Sequence, residues 1–462
     1  LFGLIYFGIA ALMQDDIKRM FAYSSASHLS FIAAGIFSLN SYGINGALYL
    51  IIAHAIATGA LFLLVGVLHD ESRFKTISDL GGIAKKAPIF TFIFALCALY
   101  ILSKAAPRFG LVDTPNLRKH HEGSVPLVGG LAVFAALFFY FSYNPTMLPH
   151  SELFLVCPGL LILLGVIDDR FDIPVAPRLI VQASITLLVI SQTNMQLDYI
   201  GDIAGIGALN FGLFAPVITI LAVIGAINAF NMVDGIDGLL GGLAIITFTG
   251  MAIVLNMHAL NNLAFVCVVV VTALVPYVMM NMGVFGHKRK IFMGDAGSMM
   301  IGFIVIWFLL TMTQPDASAT MRPVTGLWLI ALPLMDMTAI MFRRLLRGQS
   351  PLKPDRDHLH HICLNAGISQ SGTLFVICGV AAIFAGIGII GEYYNIAESV
   401  MFFGFLGCFG MYAYGLNKNW PHHIYQIVQA NFDDDNVVNF PTDIDRNAEV
   451  DEGTGESDRN YK

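Results

Sequence analysis

The chain has 462 residues, of which 56% are hydrophobic and only 12% are charged, and its formal net charge is −7. An ordinary soluble domain carries about 25% charged residues, so this shortfall excludes a soluble core of this size and indicates a membrane protein; the mean hydropathy of +0.71 agrees. The acid is concentrated in the C-terminal tail, so the net charge identifies no partner, and no feature of the pattern suggests nucleic acid. Six cysteines are scattered with no CxxC pair, several inside apolar runs, which reads as buried thiols rather than a disulfide framework. The chain begins with Leu1 rather than Met, as an incomplete reading frame would.

Apolar stretches of membrane length fall at about 1–13, 20–39, 44–68, 89–104, 126–142, 152–167, 178–192, 213–230, 239–256, 262–281, 298–313, 323–341, 372–391 and 399–416. Several are shorter than the ~20 residues a spanning helix needs, so some helices extend into polar flanks. Only helices satisfy their backbone in a lipid bilayer with this pattern, which makes the fold all-α and polytopic: three N-terminal helices at 1–88 and eleven more within 89–420. Loop charge sets the orientation. The loops at 105–125, 282–297 and 342–371 each carry three or more Lys or Arg and 168–177 carries Arg170 with Arg178 at its edge, whereas 143–151, 193–212 and 392–398 have no Lys or Arg, and 314–322 has only Arg322. The basic loops are therefore expected in the cytoplasm, as in a bacterial inner membrane. The stretch HDESRFKTISDLGGIAKK before residue 89 is also basic and conflicts with that topology, as a join between unrelated proteins would. Residues 421–462 are acidic with few large apolar groups and read as a disordered cytoplasmic tail.

The unusual polar residues gather in the expected cytoplasmic loops. Asp168 and Asp169 end the run LLILLGVIDDR, and Asp234 and Asp237 lie in NAFNMVDGIDGLLGG, preceded by Asn228 and Asn231 about one helical turn apart. Asp295 lies in IFMGDAGS, and Arg356, His358, His360 and His361 lie in PDRDHLHHI. Mg²⁺ prefers oxygen ligands and is commonly held by one or two carboxylates plus substrate phosphates. Phosphoryl transfer needs chiefly positioning and charge neutralisation. Glycines beside Asp234 and Asp295 leave room for a phosphate, and the histidines and Arg356 suit phosphate binding. Each piece has a plainer alternative: a solvated helix cap for Asp-Asp, a turn for Asp-Gly, a Zn²⁺ site for the histidines. Ionisable groups at a membrane edge are costly, and four such segments on one face point to a shared site.

The segments GLVDTPNLRKHHEGSVPLVGG, GVIDDRFDI, NAFNMVDGIDGLLGG, FMGDAGSMMIGF, IALPLMDMTAIMFRR and SPLKPDRDHLHHI resemble, in order, those of the polyprenyl-phosphate N-acetylhexosamine-1-phosphate transferases over about 89–416. That resemblance implies eleven helices, UDP-N-acetylglucosamine as donor, undecaprenyl phosphate as acceptor and Mg²⁺, or Mn²⁺ in its place, as cofactor. It implies metal binding and lipid-phosphate activation for Asp168 and Asp169, a metal ligand in Asp295, nucleotide-sugar and catalytic roles for Asn231, Asp234 and Asp237, and donor-phosphate contacts for His358, His360 and His361. The family's pathways are O-antigen and enterobacterial common antigen synthesis.

ALMQDDIKRMFAYSSASHLSFIAAGI and LFLLVGVLHDESRFKTISDLGGIAKKAPIF instead resemble the antiporter-like subunits of proton-pumping NADH-quinone oxidoreductase, with Lys18 and His54 at positions that relay protons in that family. Two functions therefore compete with sugar-phosphate transfer: an ion-translocating subunit, which only residues 1–88 support, and a non-catalytic lipid-binding protein, against which the intact acidic motifs weigh.

Overall fold

The computed structural model describes residues 2–14, 17–40, 43–47, 50–51, 54, 87–113, 124–314, 321–350 and 358–417. At the N-terminus α1 (Phe2–Leu12) and α2 (Ile17–Phe37) pack against each other, and the rings of His28 and His54 meet edge-on with their Nδ1 atoms 3.1 Å apart. Most of the segment expected at 44–68, the basic stretch after it, Arg356, the Lys18 side chain and the tail from residue 421 lie outside the described residues.

From residue 87 the chain forms a helical bundle: α3 (Ala87–Phe109), α4 (Gly129–Tyr143), α5 (Ser151–Phe171), α6 (Val175–Thr193), α7 (Ala215–Met232), α8 (Leu239–Met257), α9 (Asn261–Asn281), α10 (Gly294–Thr313), α11 (Pro323–Leu329), α12 (Ala331–Leu346), α13 (Leu359–Asn365), α14 (Gln370–Tyr393) and α15 (Glu398–Asn417). Among the described residues the strands form two short antiparallel ladders, β1 (Val112–Asp113) with β2 (Val125–Pro126) and β3 (Tyr199–Gly201) with β4 (Leu209–Asn210). Nine of the described helices are long and apolar enough to cross a membrane. The protein is an all-α polytopic membrane protein. α3 packs on α4 and α9, within the same bundle as the later helices.

α10 is the centre. All its residues except Asp295 are buried, as expected of a helix apolar on every face and enclosed by protein. Its neighbours approach to backbone distance: a methyl group on Gly165 of α5 would lie 2.2 Å from Ala296 Cα, and one on Gly130 of α4 would lie 2.2 Å from Gly297 Cα. Small residues permit such close crossings where lipid supplies no hydrophobic drive between helices. Main-chain bonds complete the join: Phe292 N donates to Pro126 O at 2.9 Å, Gly129 N to Phe292 O at 2.9 Å and Gly130 N to Met293 O at 3.1 Å.

The segment expected as one helix at 323–341 is broken. α11 and α12 meet at Ile330 with an 82° bend. Pro333 is the cause. It has no N–H and is tolerated in the first turn of α12 but not in the interior of a continuous helix. The Leu329 carbonyl that residue 333 would have capped instead accepts the Thr247 hydroxyl at 3.2 Å. Between the bend, α7 and α10 lies an apolar cavity of about 260 Å³, walled by Leu221, Phe230, Leu309, Leu334 and Met337 among others.

At the bundle end bearing β3 and β4, Gln314 accepts from the N–H groups of Asp198 and Tyr199, both at 3.0 Å, and Glu398 accepts from Asp202 N at 2.7 Å. Buried Glu392 takes the Thr325 hydroxyl at 2.5 Å and Arg322 Nε at 3.2 Å. These polar side chains close that end.

Candidate active site

The other bundle end collects the acidic motifs, and helix geometry decides which carboxylates meet. Gly165 and Asp169 are one turn apart and share the face of α5 that crosses α10. Asp169 therefore reaches the start of α10, where its carboxylate accepts from Asp295 N at 2.9 Å and Ala296 N at 3.4 Å. It caps N–H groups that have no partner within the helix, at the positive end of the helix dipole. Gly294, at φ +75°, makes the turn into α10; a side chain there would also meet Asp169 Oδ2 at 2.7 Å.

Asp168 is rotated by one residue and faces elsewhere. Its Oδ2 pairs with Arg178 Nη1 of α6 at 2.5 Å, and its Oδ1 accepts from Ile173 N at 2.9 Å. It stabilises the α5–α6 turn. Of the three aspartates expected around one metal, Asp169 and Asp295 meet at the start of α10, while Asp168 faces Arg178.

Asn231, near the end of α7, donates to Asp295 Oδ1 and to the Ser298 hydroxyl, both at 2.8 Å. Asn228 does not join this group. One turn deeper, it donates to Gln182 Oε1 of α6 at 3.3 Å and to Ile224 O at 2.7 Å. Asp234 lies in the turn between α7 and α8, open to water but walled by protein. The protein walls around its carboxyl, with the negative charges of Asp295, Asp169 and Asp237, push its pKa up to about 7. Asp237 is paired with Lys290 and accepts from Gln370 Nε2 at 3.1 Å.

The histidine segment docks on this turn. The ring of His360 lies so close to Gly235 that a methyl group there would meet its Nε2 at 2.0 Å. His360 and His361 have ring centroids 4.2 Å apart, and His358 stacks on His360 at 5.8 Å. Burial, then the neighbouring His361 and His358, lower the His360 pKa to about 3, which keeps its imidazole neutral at physiological pH. Among the described residues no three His, Cys, Asp or Glu side chains form a ready-made metal cage. Asp169 and Asp295 provide hard oxygen ligands, and the negative charges that add to burial in raising the Asp234 pKa are of the kind a divalent cation would relieve. Two carboxylates with room for phosphate oxygens fit Mg²⁺, which seldom binds in all-protein cages.

Three further side chains shape the site, and sequence reasoning did not select them. Asn281 accepts from Gly238 N at 2.5 Å and donates to Ile291 O at 2.8 Å, so it ties the Asp234–Asp237 turn to the segment leading into α10. Lys290 neutralises Asp237. Asp336 is buried in α12 beside His358. An isolated carboxylate within LPLMDMTAIM was a signal for it in the sequence.

Over 333 residues the chain is 45% identical to the undecaprenyl-phosphate alpha-N-acetylglucosaminyl 1-phosphate transferase of Salmonella typhi, a match covering 72% of this chain and 90% of the relative. It is 44% identical to the Escherichia coli (strain K12) protein of the same name over 72% of this chain and 90% of that one. It is 45% identical to that of Pasteurella multocida (strain Pm70) over 335 residues, with 72% and 93% coverage. The chain belongs to this family of transferases. Residues 152–313, which carry every acidic motif of the site, match the glycosyl transferase family 4 model. Residues 1–110 match the NADH:quinone oxidoreductase/Mrp antiporter transmembrane model, which runs beyond residue 89 to the end of α3.

Proposed function

We propose that the chain transfers N-acetylglucosamine 1-phosphate from UDP-N-acetylglucosamine to undecaprenyl phosphate, at the Asp169–Asp295 end of the bundle and on the cytoplasmic face of a bacterial inner membrane. The observation that carries this reading is the junction of Asp169, Asn231 and Asp295 at the N-terminus of α10, with Asp234 beside it and His360 against Gly235.

The acceptor's phosphate monoester has a second pKa near 6, so at neutral pH it is mostly dianionic and attacks without a general base. Its oxygen forms the new bond to the β-phosphorus of the donor, and the bond to the bridging oxygen breaks, releasing UMP and leaving undecaprenyl-diphospho-N-acetylglucosamine. When bound, Mg²⁺, or Mn²⁺ in its place, would supply charge neutralisation for the diphosphate. The chain's own residues do the positioning. Asp169 and Asp295 would hold the cation, and Asn231 fixes Asp295. Asp237, paired with Lys290, and the His358–His361 group would flank the phosphates. The apolar cavity under the bend suits the start of a polyprenyl chain, because Phe230 in its wall is the residue before Asn231. Arg356, outside the described residues, is assigned by sequence to the phosphates of the donor or the acceptor. The transferase comprises residues 89–420, with 1–88 adding nothing to catalysis. Its product serves as the first lipid-linked intermediate of O-antigen or enterobacterial common antigen synthesis.

The test uses purified chain in detergent with undecaprenyl phosphate and a UDP-N-acetylglucosamine labelled in both sugar and β-phosphate. Both labels should reach the lipid, UMP should be released, and EDTA should abolish transfer until Mg²⁺ is restored. Release of UDP, with only the sugar label on the lipid, would refute the reading. So would near-normal turnover by Asp169→Asn at saturating Mg²⁺.

A further inference from the structure

We propose that Asp336, supported by Tyr412, is a positioning residue that fixes the ring orientation and tautomer of His358; this rests on the transfer reaction proposed above.

Asp336 is 3% exposed and lies in an otherwise apolar stretch of α12. A carboxylate buried this deeply persists only where donors satisfy it. Three donors come from two elements, the start of α13 and α15. His358 Nδ1 lies 2.8 Å from Oδ2, Leu359 N donates to Oδ1 at 3.1 Å, and the Tyr412 hydroxyl of α15 donates to Oδ1 at 2.6 Å. An ionised carboxylate only accepts, so His358 Nδ1 carries its proton toward Asp336 and Nε2 is the remaining polar atom of the ring. His358 is itself 6% exposed, and its ring is within 8° of parallel to His360, which lies against the Asp234–Gly235 turn. The Asp336 carboxylate thus sets the angle of a ring stack that ends at the acidic cluster. It touches neither substrate nor cation and acts through His358. Carboxylates that orient ligand histidines work in this way, and their loss typically costs about 10–100-fold in activity or affinity.

Asp336→Asn tests this because it nearly keeps the shape. The one remaining oxygen is claimed by Leu359 N and Tyr412, so the amide NH₂ faces His358 and forces Nδ1 to become the acceptor. The proton then moves to Nε2. We expect kcat/KM to fall about 10–100-fold with an unchanged melting temperature. In a His358→Gln background the same change should add less than about a twofold loss, because residues acting as one unit are non-additive. Tyr412→Phe, which leaves the His358–Asp336 bond in place, should cost far less than Asp336→Asn. A second readout does not depend on activity: ¹⁵N-histidine NMR of the full chain should report the Nδ1–H form of His358 in the parent and the Nε2–H form in Asp336→Asn. An equal penalty from Asp336→Asn with and without His358, or the same tautomer in both chains, would overturn the proposal. The tautomer switch between parent and Asp336→Asn, in a parent that transfers no sugar phosphate, would refute the proposed reaction and leave this assignment standing.

Discussion

Adding one methyl group at Gly165 is expected to push apart the two helices that place Asp169 against Asp295. A Cβ there would lie 2.2 Å from Ala296 Cα and 2.3 Å from Ala296 N, both backbone atoms of the enclosed central helix, so no rotamer change relieves the clash. Restoring ordinary contact at 3.4 Å requires α5 and α10 to separate by about 1.2 Å at this point. Asp169 lies one turn away on the same face, and its bonds to Asp295 N at 2.9 Å and Ala296 N at 3.4 Å do not survive a displacement of that size. Overpacking costs about 1–3 kcal/mol, and a hydrogen bond to a charged group contributes about 1.5–3 kcal/mol. Gly165→Ala should therefore lose a few kcal/mol of stability, and a misplacement of about 1 Å should lower kcat/KM roughly 100-fold. The assay is transfer to undecaprenyl phosphate over a range of Mg²⁺ concentrations, alongside thermal unfolding in detergent. Gly407→Ala, where nothing lies within 4 Å of the added methyl, is the control and should behave as the parent. Parent-like turnover and stability in Gly165→Ala would refute the proposed coupling between helix crossing and aspartate placement.

In the metal-free protein the raised pKa of Asp234, about 7 against about 3.9 in an unfolded chain, means that the folded state retains the proton longer. Stability is then fullest below about pH 4 with respect to this group and is lost as pH rises toward 7; melting in EDTA at pH 5.5 and pH 8 should show this slope, and Asp234→Asn should lessen it. Sidedness is testable with single cysteines: Arg289→Cys and Gln349→Cys should react with an impermeant maleimide only from the cytoplasmic face, and Gln192→Cys and Asn210→Cys only from the opposite one. A chain beginning with Met in place of Ala87 should equal or exceed the full chain in transferase activity; loss of activity with normal membrane insertion would show that the N-terminal helices belong to the enzyme.

The architecture was legible because apolar runs and rare charges are strong signals in a chain with so little charge. Each apolar segment from 89 to 416 corresponds to one helix or, at 323–341, to the bent pair. The bend was missed although its cause, Pro333, was in plain view, because hydropathy does not register a missing N–H. Within the site, sequence proximity misled where helical rotation separates neighbours. Asp168 and Asp169 read as a pair but face Arg178 and α10 respectively. Asn228 and Asn231 are also divided, the one toward Gln182 and the other toward Asp295. Neither separation can be read without knowing which helices pack on which faces, and that depends on contacts between residues more than a hundred positions apart, such as Asp169 with Asp295.

The enclosure of α10 also bears on how the molecule can move. A helix in contact with protein on all sides cannot tilt or slide without dislodging several neighbours at once, so Asp295 acts as a fixed datum. The histidines hang from a different part of the frame, a seven-residue helix tethered through Asp336 to α12 and α15, at the rim of the bundle. Movement at this end of the bundle is therefore expected in that rim, next to the 82° elbow of α11 and α12, rather than in the floor.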